Sequence, residues 1–134
     1  MIQKKKRILV DMSATLIHHG HIRLLKKASE YGIVIIGLTI DEEIIKKKGY
    51  KPELSFLERE EILLSIKYVD QVIPSNWLID EQFLDANNID LLVHGSDNSN
   101  PIPNDRLLIL PRTPNISSTK LRERAKQIIN KKSN

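Results

Sequence analysis

Short apolar runs alternate with amphipathic segments from one end of the chain to the other, and this alternation constrains the fold more than any single residue does. "RILVDM", "IVIIGLTI", "QVIP", "DLLVHG" and "LLILPR" read as strands. The second is apolar on both faces, as a central parallel strand should be. Between the strands, "GHIRLLKKASEYG" carries helical spacing at Ile22, Leu25 and Ala28, with Gly32 as its stop. "SFLEREEILLSIKYV" reads as a helix that opens with Ser55 and Glu58 at capping-box spacing. "IDEQFLDANN" reads as a helix ending on asparagines, and "SSTKLRERAKQIINKK" as a closing helix with basic residues in its last turn.

Strand and helix in alternation predict an α/β fold: a Rossmann-like five-stranded parallel sheet with helices on both faces and right-handed crossovers. With 134 residues, 40% hydrophobic content, no repeat and no low-complexity linker, residues 1–134 read as a single domain. Aromatics are only 4%, so Ile, Leu and Val must build the core. In open sheets of this kind, ligands bind beyond the carboxyl ends of the strands. Those ends carry "SATLIHHGH", "TIDEE", "HGSDN" and "PRTPNISST", the most chemically varied stretches of the chain. The longest irregular stretches, "IKKKGYKPEL" and "GSDNSNPIPND", are functional-loop candidates.

Cysteine is absent, which excludes a disulfide framework and a thiolate metal site. No apolar run is long enough to span a bilayer, and the basic start lacks the apolar region of a secretory signal. The expectation is a soluble cytoplasmic protein with no membrane partner. Net charge is +4, concentrated in lysine-rich ends and at Lys46 to Lys48. Aromatic interleaving and a recognised nucleic-acid motif are both missing, so no nucleic-acid partner is expected. An anionic small-molecule substrate suits the charge excess.

Neither G-x-G-x-x-G nor G-x-x-x-x-G-K-[ST] occurs, so any phosphate must be held by other groups. The sequence His18-His19-Gly20-His21 offers them. His18 falls on the loop after the first strand and His21 in the first helical turn, where side chains three apart share a face. Gly20 is read as letting the backbone turn and approach a ligand. Two imidazole donors beside free helix-start amides make a site for a phosphate chain. The competing reading is a surface histidine cluster.

H-x-G-H after a first strand, here His18, Gly20 and His21, resembles the signature of the HIGH-type nucleotidyltransferase superfamily. Ile116-Ser117-Ser118-Thr119, leading into the last helix, resembles its closing signature. Within it the chain looks like the cytidylyltransferase family, on "RTPNISST", "TIDEE", Lys46-Lys47-Lys48-Gly49, Glu58-Arg59, "KYVDQVI" and "VHGSDN".

The resemblance implies transfer of CMP from CTP to a small phosphorylated alcohol, with Mg²⁺ as cofactor and pyrophosphate as the second product. It implies His18, His21, Lys48 and Arg112 as catalytic residues. Ser13, Ala14, Gly20, Asp97, Thr113, Ile116, Ser117 and Ser118 would bind nucleotide. Asp41, Lys47, Arg59 and Lys67 would bind the acceptor. No protein metal ligand is expected, and a homodimer is. Structural alternatives stand beside these roles. The lysine run would be solvated, Arg59 a surface residue or ion pair, Ser117 an N-cap, and Asp70 a turn brace. His94 would be a packed histidine, and Trp77 core or a dimer contact.

The match departs from the family pattern at Met12-Ser13-Ala14-Thr15, where G-T-F-D is usual. A glycine and a carboxylate are lost there. Asn115 replaces a glycine, and asparagine tolerates the left-handed conformation. Lys67 replaces a common arginine, keeping charge but losing the fork. The alternatives are an adenylyltransferase of the same superfamily and a nucleotide-binding module with impaired catalysis.

Overall fold

A computed structural model describes residues 5–132. Its elements run β1 (Arg7–Met12), α1 (His19–Ser29), β2 (Ile33–Thr39), α2 (Asp41–Lys48), α3 (Phe56–Leu64), β3 (Gln71–Ser75), α4 (Glu81–Ala86), β4 (Leu91–His94), β5 (Leu107–Ile109) and α5 (Ser118–Lys132), with a 3-10 turn at Asn104–Arg106. The sheet order is β3-β2-β1-β4-β5, and every pairing is parallel. Leu9 of β1 lies opposite Ile35 of β2 and Leu92 of β4, which places the most apolar strands in the middle.

Both sheet faces are covered. Ile8, Val10, Val34 and Ile36 pack with Leu25 and Ala28 of α1 and Leu63 of α3. On the other face Leu9, Ile35 and Leu92 pack with Ile79 and with Leu84 of α4. The alternation of β1 side chains between these two clusters is the period-2 geometry of a strand. Strand order reverses at β1, whose neighbours are β2 and β4, so a crevice opens at the carboxyl ends of β1 and β4.

The structure departs from the expectations in three places. The stretch "DEEIIKKK" is helix α2, so the lysines form a last helical turn and not a loop. It buries only Ile44, which leaves no apolar periodicity to read. Its helical signals are instead three acidic residues in the first turn, three lysines in the last, and Gly49 at φ 82 as a left-handed cap. Helix α3 keeps the Ser55–Glu58 capping box but stops at Leu64. The following Ile66, Tyr68 and Val69 reach the core from turns. Helix α1 ends at Ser29 with Glu30 as its cap, so Gly32 is not its stop. A Cβ at Gly32 would lie 2.2 Å from the Lys6 carbonyl oxygen, which accepts from Ile33 N–H at 2.8 Å. That glycine serves a close backbone approach at the entry to β2.

Asp70 braces the sheet: its carboxylate accepts from Val34 N–H at 3.3 Å. No helix among the described residues is long and apolar enough to cross a membrane.

Candidate active site

A cavity of about 400 Å³ sits at the crevice, walled by the ends of β1 and β4, the start of α1, the end of α2 and the start of α5. All four residues expected to be catalytic line it, as do the eight expected to bind nucleotide.

His18 is the N-cap of α1 and His21 its third residue. Gly20 N–H donates to His18 Nδ1 at 3.1 Å, and His18 N–H donates to His21 Nδ1 at 3.1 Å. This is a capping box built from imidazoles in place of the usual hydroxyl and carboxylate. Because both Nδ1 atoms accept from backbone, each neutral ring carries its proton on Nε2. The two ring centroids are 3.9 Å apart. Gly20 lies within α1 without a positive φ, so the expected backbone turn is absent. It is there for space: a Cβ would sit 2.9 Å from the His18 ring and 3.1 Å from an Ile116 methyl.

Burial, then the His18 ring, then Arg112 push His21 down to about 3. Burial, His19 and Arg112 likewise lower His18. Both imidazoles are therefore neutral Nε2–H donors near neutral pH. In the unfolded chain His21 takes up its proton near its ordinary value of 6.5, whereas the folded protein excludes it down to about 3. The stability this neutral state contributes is complete above 6.5 and is lost as pH falls toward 3. Urea denaturation at pH 7.5, 6 and 5 should show a decline with a slope of up to about 1.4 kcal/mol per pH unit from this group. His21→Asn should flatten that decline by the equivalent of one proton.

Arg112 follows β5 and crosses in front of Gly95, where a Cβ would lie 2.5 Å from its Nε. It donates to Asp97 Oδ1 from Nε at 3.1 Å and Nη2 at 2.8 Å, an exposed pair that an anionic ligand can displace. His94 is part of the same wall and not simply packed. Its Nδ1 lies 2.5 Å from Asp11 Oδ1, and its Nε2 is 3.6 Å from Asp97 Oδ1. Asn100 holds the other Asp11 oxygen at 3.2 Å.

At the start of α5, Ser117 Oγ accepts from Lys120 N–H at 3.1 Å, a helix cap. Ser118 Oγ accepts from Leu16 N–H at 3.1 Å and donates to Leu16 O at 2.9 Å. It therefore stitches α5 to the β1–α1 loop, and its proton is not free for a ligand. Asn115 adopts φ 65, the left-handed conformation that a glycine would take without strain.

Of the three lysines ending α2, only Lys48 lines the cavity. Lys47 and Lys48 stand 5.9 and 5.6 Å from the half-buried Trp77 ring, so Trp77 is not core but a cavity wall beside the lysines. Asp41, Lys47, Arg59 and Lys67, expected at the acceptor, do not line the cavity. Lys67 lies after α3, exposed, 5.3 Å from the Tyr68 ring. Arg59 is completely buried. It donates to Leu54 O, Ser13 O, Thr39 O and Asp41 Oδ1 at 3.0, 2.6, 2.9 and 2.6 Å. Asp41 also accepts from Phe56 N–H at 3.4 Å. Arg59 is thus spent on clamping the loop that carries Ser13, with Asp41 as its counter-charge, and not on the acceptor contact expected of it.

Arg122 and Tyr50 line the cavity without having been singled out from sequence. Arg122 stands four residues after Ser118, so helical periodicity puts it above the same helix start, a signal that was legible.

Among the described residues, no group of three or more His, Cys, Asp or Glu is placed to hold a metal ion. The cavity carboxylates Asp11 and Asp97 are already engaged by His94, Asn100 and Arg112. His18, His21, Lys48 and Arg112 make the lining a donor set for an anion, and Asp11 and Asp97 are the carboxylates it offers to a cation.

Comparison with known proteins gives a consistent result. The family described as cytidylyltransferase-like matches residues 13–110. Glycerol-3-phosphate cytidylyltransferase of Bacillus subtilis (strain 168) is 34% identical over 123 residues, covering 88% of this chain and 95% of that one. Ethanolamine-phosphate cytidylyltransferase of Dictyostelium discoideum is 37% identical over 97 residues, covering 71% of this chain and 27% of that one. FAD synthase of Pyrococcus horikoshii is 37% identical over 71 residues, covering 52% of this chain and 48% of that one. Among solved structures, the lipopolysaccharide core biosynthesis protein from Thermoplasma volcanium GSS1 superposes with TM-score 0.62 at 16% identity. The match covers 93% of this chain and 89% of that one, a likeness of fold alone.

Proposed function

The chain belongs to the cytidylyltransferase-like family, and from that premise we propose that it transfers CMP from CTP to a small phosphorylated acceptor. The acceptor would be glycerol 3-phosphate, ethanolamine phosphate, or a related phosphate or phosphonate. That the chain is a nucleotidyltransferase follows from the family itself. The nucleotide and acceptor are the proposal.

One observation carries this reading. Two neutral imidazoles, locked by backbone N–H groups so that each keeps its Nε2 proton, line one cavity with Arg112, Lys48 and the capped start of α5. That is a set of donors for a phosphate chain, fixed before the ligand arrives. In the reaction, an oxygen of the acceptor phosphoryl group attacks the α-phosphorus of CTP in line. The bond from α-phosphorus to the oxygen bridging to β breaks, and pyrophosphate leaves with that electron pair. No covalent enzyme intermediate is required, so the residues act by positioning and by stabilising charge. His18 and His21 would donate to the phosphate oxygens on which charge grows. Lys48 would bring the acceptor phosphoryl group and the α-phosphate together. Arg112 would exchange Asp97 for the triphosphate. Bound Mg²⁺ would supply further charge neutralisation at the phosphates. A homodimer is part of the proposal, and light scattering coupled to gel filtration checks it.

Two features favour including ATP in the test. FAD synthase is among the relatives, and Met12 lines the cavity where the family pattern has glycine. The experiment is pyrophosphate release with CTP and Mg²⁺ over a panel of small phosphomonoesters and phosphonates, run in parallel with ATP. Turnover with CTP and one acceptor is expected. Preference for ATP would overturn the nucleotide assignment. Silence across the panel with CTP still bound would favour a module that has lost catalysis.

A further inference from the structure

Arg122 lies in the second turn of α5, outside every motif that marks the family resemblance. Its guanidinium makes four kinds of contact. Nη2 donates to Glu53 Oε1 at 2.7 Å, and Nε donates to the other oxygen of the same carboxylate. Nη1 donates to the Tyr50 hydroxyl at 3.1 Å, and the Tyr50 ring centroid lies 5.1 Å away. Nη2 also donates to Thr15 Oγ1 at 3.3 Å. Arg122, Tyr50 and Thr15 line the cavity, but Glu53 does not. The guanidinium is thus part of the cavity wall, and its counter-charge reaches it from outside, from the segment between α2 and α3.

Glu53 is 36% exposed, and an ion pair so open to water contributes little stability. A phosphoryl group inside the cavity competes for the same planar fork with more charge. Thr15 matters here as well. A carboxylate at that position would neutralise Arg122 from the cavity side and would repel a phosphate. The threonine hydroxyl touches Arg122 without taking its charge. The side chain at residue 15 is thus placed to set how much of the Arg122 charge faces the cavity.

We propose that Arg122 is a phosphoryl-binding residue that exchanges Glu53 for a phosphoryl group of a bound substrate, and that Thr15 keeps its charge available for that exchange. The reactive identity of the substrates rests on the function proposed above, but the anion site does not. The phosphoryl group would belong either to the nucleotide's triphosphate or to the acceptor.

Calorimetry on the full chain separates these sources with two probes: CTP, and inorganic phosphate added to protein already saturated with CTP. Arg122→Gln should weaken one of the two by about 10- to 100-fold. Loss with CTP assigns the residue to the nucleotide; loss with phosphate alone assigns it to the acceptor. Arg122→Lys should fall between the variant and the native protein, because charge stays and the fork is lost. Thr15→Asp should weaken the same probe. Glu53→Gln should strengthen it, because the competing carboxylate is gone. A merely structural bridge predicts the reverse: Glu53→Gln would weaken binding as Arg122→Gln does. That result, or unchanged binding of both probes in folded Arg122→Gln, would overturn the proposal. Both probes can be read whether or not any acceptor turns over, so failure of the transferase reading would remain distinct.

Discussion

His18→Ala and His21→Ala should each lower turnover by about 10²–10³, the usual cost of losing one fixed donor to a charge that grows in the transition state. They should also lower stability, because each ring supplies half of the cap at the start of α1. Loss of an N-cap costs about 0.5–2 kcal/mol, which thermal melting detects. The two effects separate in His18→Asn. Asparagine is a good N-cap and restores an acceptor for Gly20 N–H, but its shorter amide does not reach where Nε2 stood. The melting temperature should recover and the turnover should not. Turnover near that of the native protein in both alanine variants would refute the role given to the imidazoles.

The largest effect on stability should come from Arg59. Its side chain is wholly buried and holds three backbone carbonyls and Asp41. Arg59→Ala strands those acceptors and leaves Asp41 without its cation. Removing one partner of a buried charge pair typically costs about 3–5 kcal/mol. Here Asp41 is 34% exposed and regains some water, while the carbonyls of Ser13, Thr39 and Leu54 raise the cost. We expect a loss of at least about 3 kcal/mol in chemical denaturation. Arg59→Lys should recover only a small part, because one ammonium cannot span four acceptors in a plane. Any folded fraction should bind CTP poorly, since the clamp fixes the loop carrying Ser13. A variant that melts like the native protein but fails only with acceptor would restore Arg59 to the substrate site.

Arg59 also shows where a sequence is hard to read. "SFLERE" presents an ordinary amphipathic helix start, and an arginine there is most often solvated. Its burial follows from the ends of β1 and β2 being brought over α3 by sheet pairing, which no local pattern announces. The same limit applies to Gly20. The sequence shows a glycine among histidines, but only the folded helix shows that the vacant Cβ position is where the His18 ring and an Ile116 side chain meet. Helix α2 is hard to read for another reason. It is short, buries one residue, and has charge order in place of apolar period.

By itself, the sequence determined the α/β class, the five strands and their parallel arrangement, and the helix starts at Ser55 and Ser117, while the imidazole cap at His18 came from the structure. Those features rest on periodicity and on capping residues within a few positions of one another, so they are written locally. It also placed the chemically varied stretches at the strand ends. The tertiary structure alone decided which charges are spent on the fold and which face the cavity. Arg59 meets Ser13 across 46 positions and Arg122 meets Thr15 across 107. Whether a cation binds carbonyls or a ligand depends on what the fold packs around it, because burial sets the cost of leaving it unpaired.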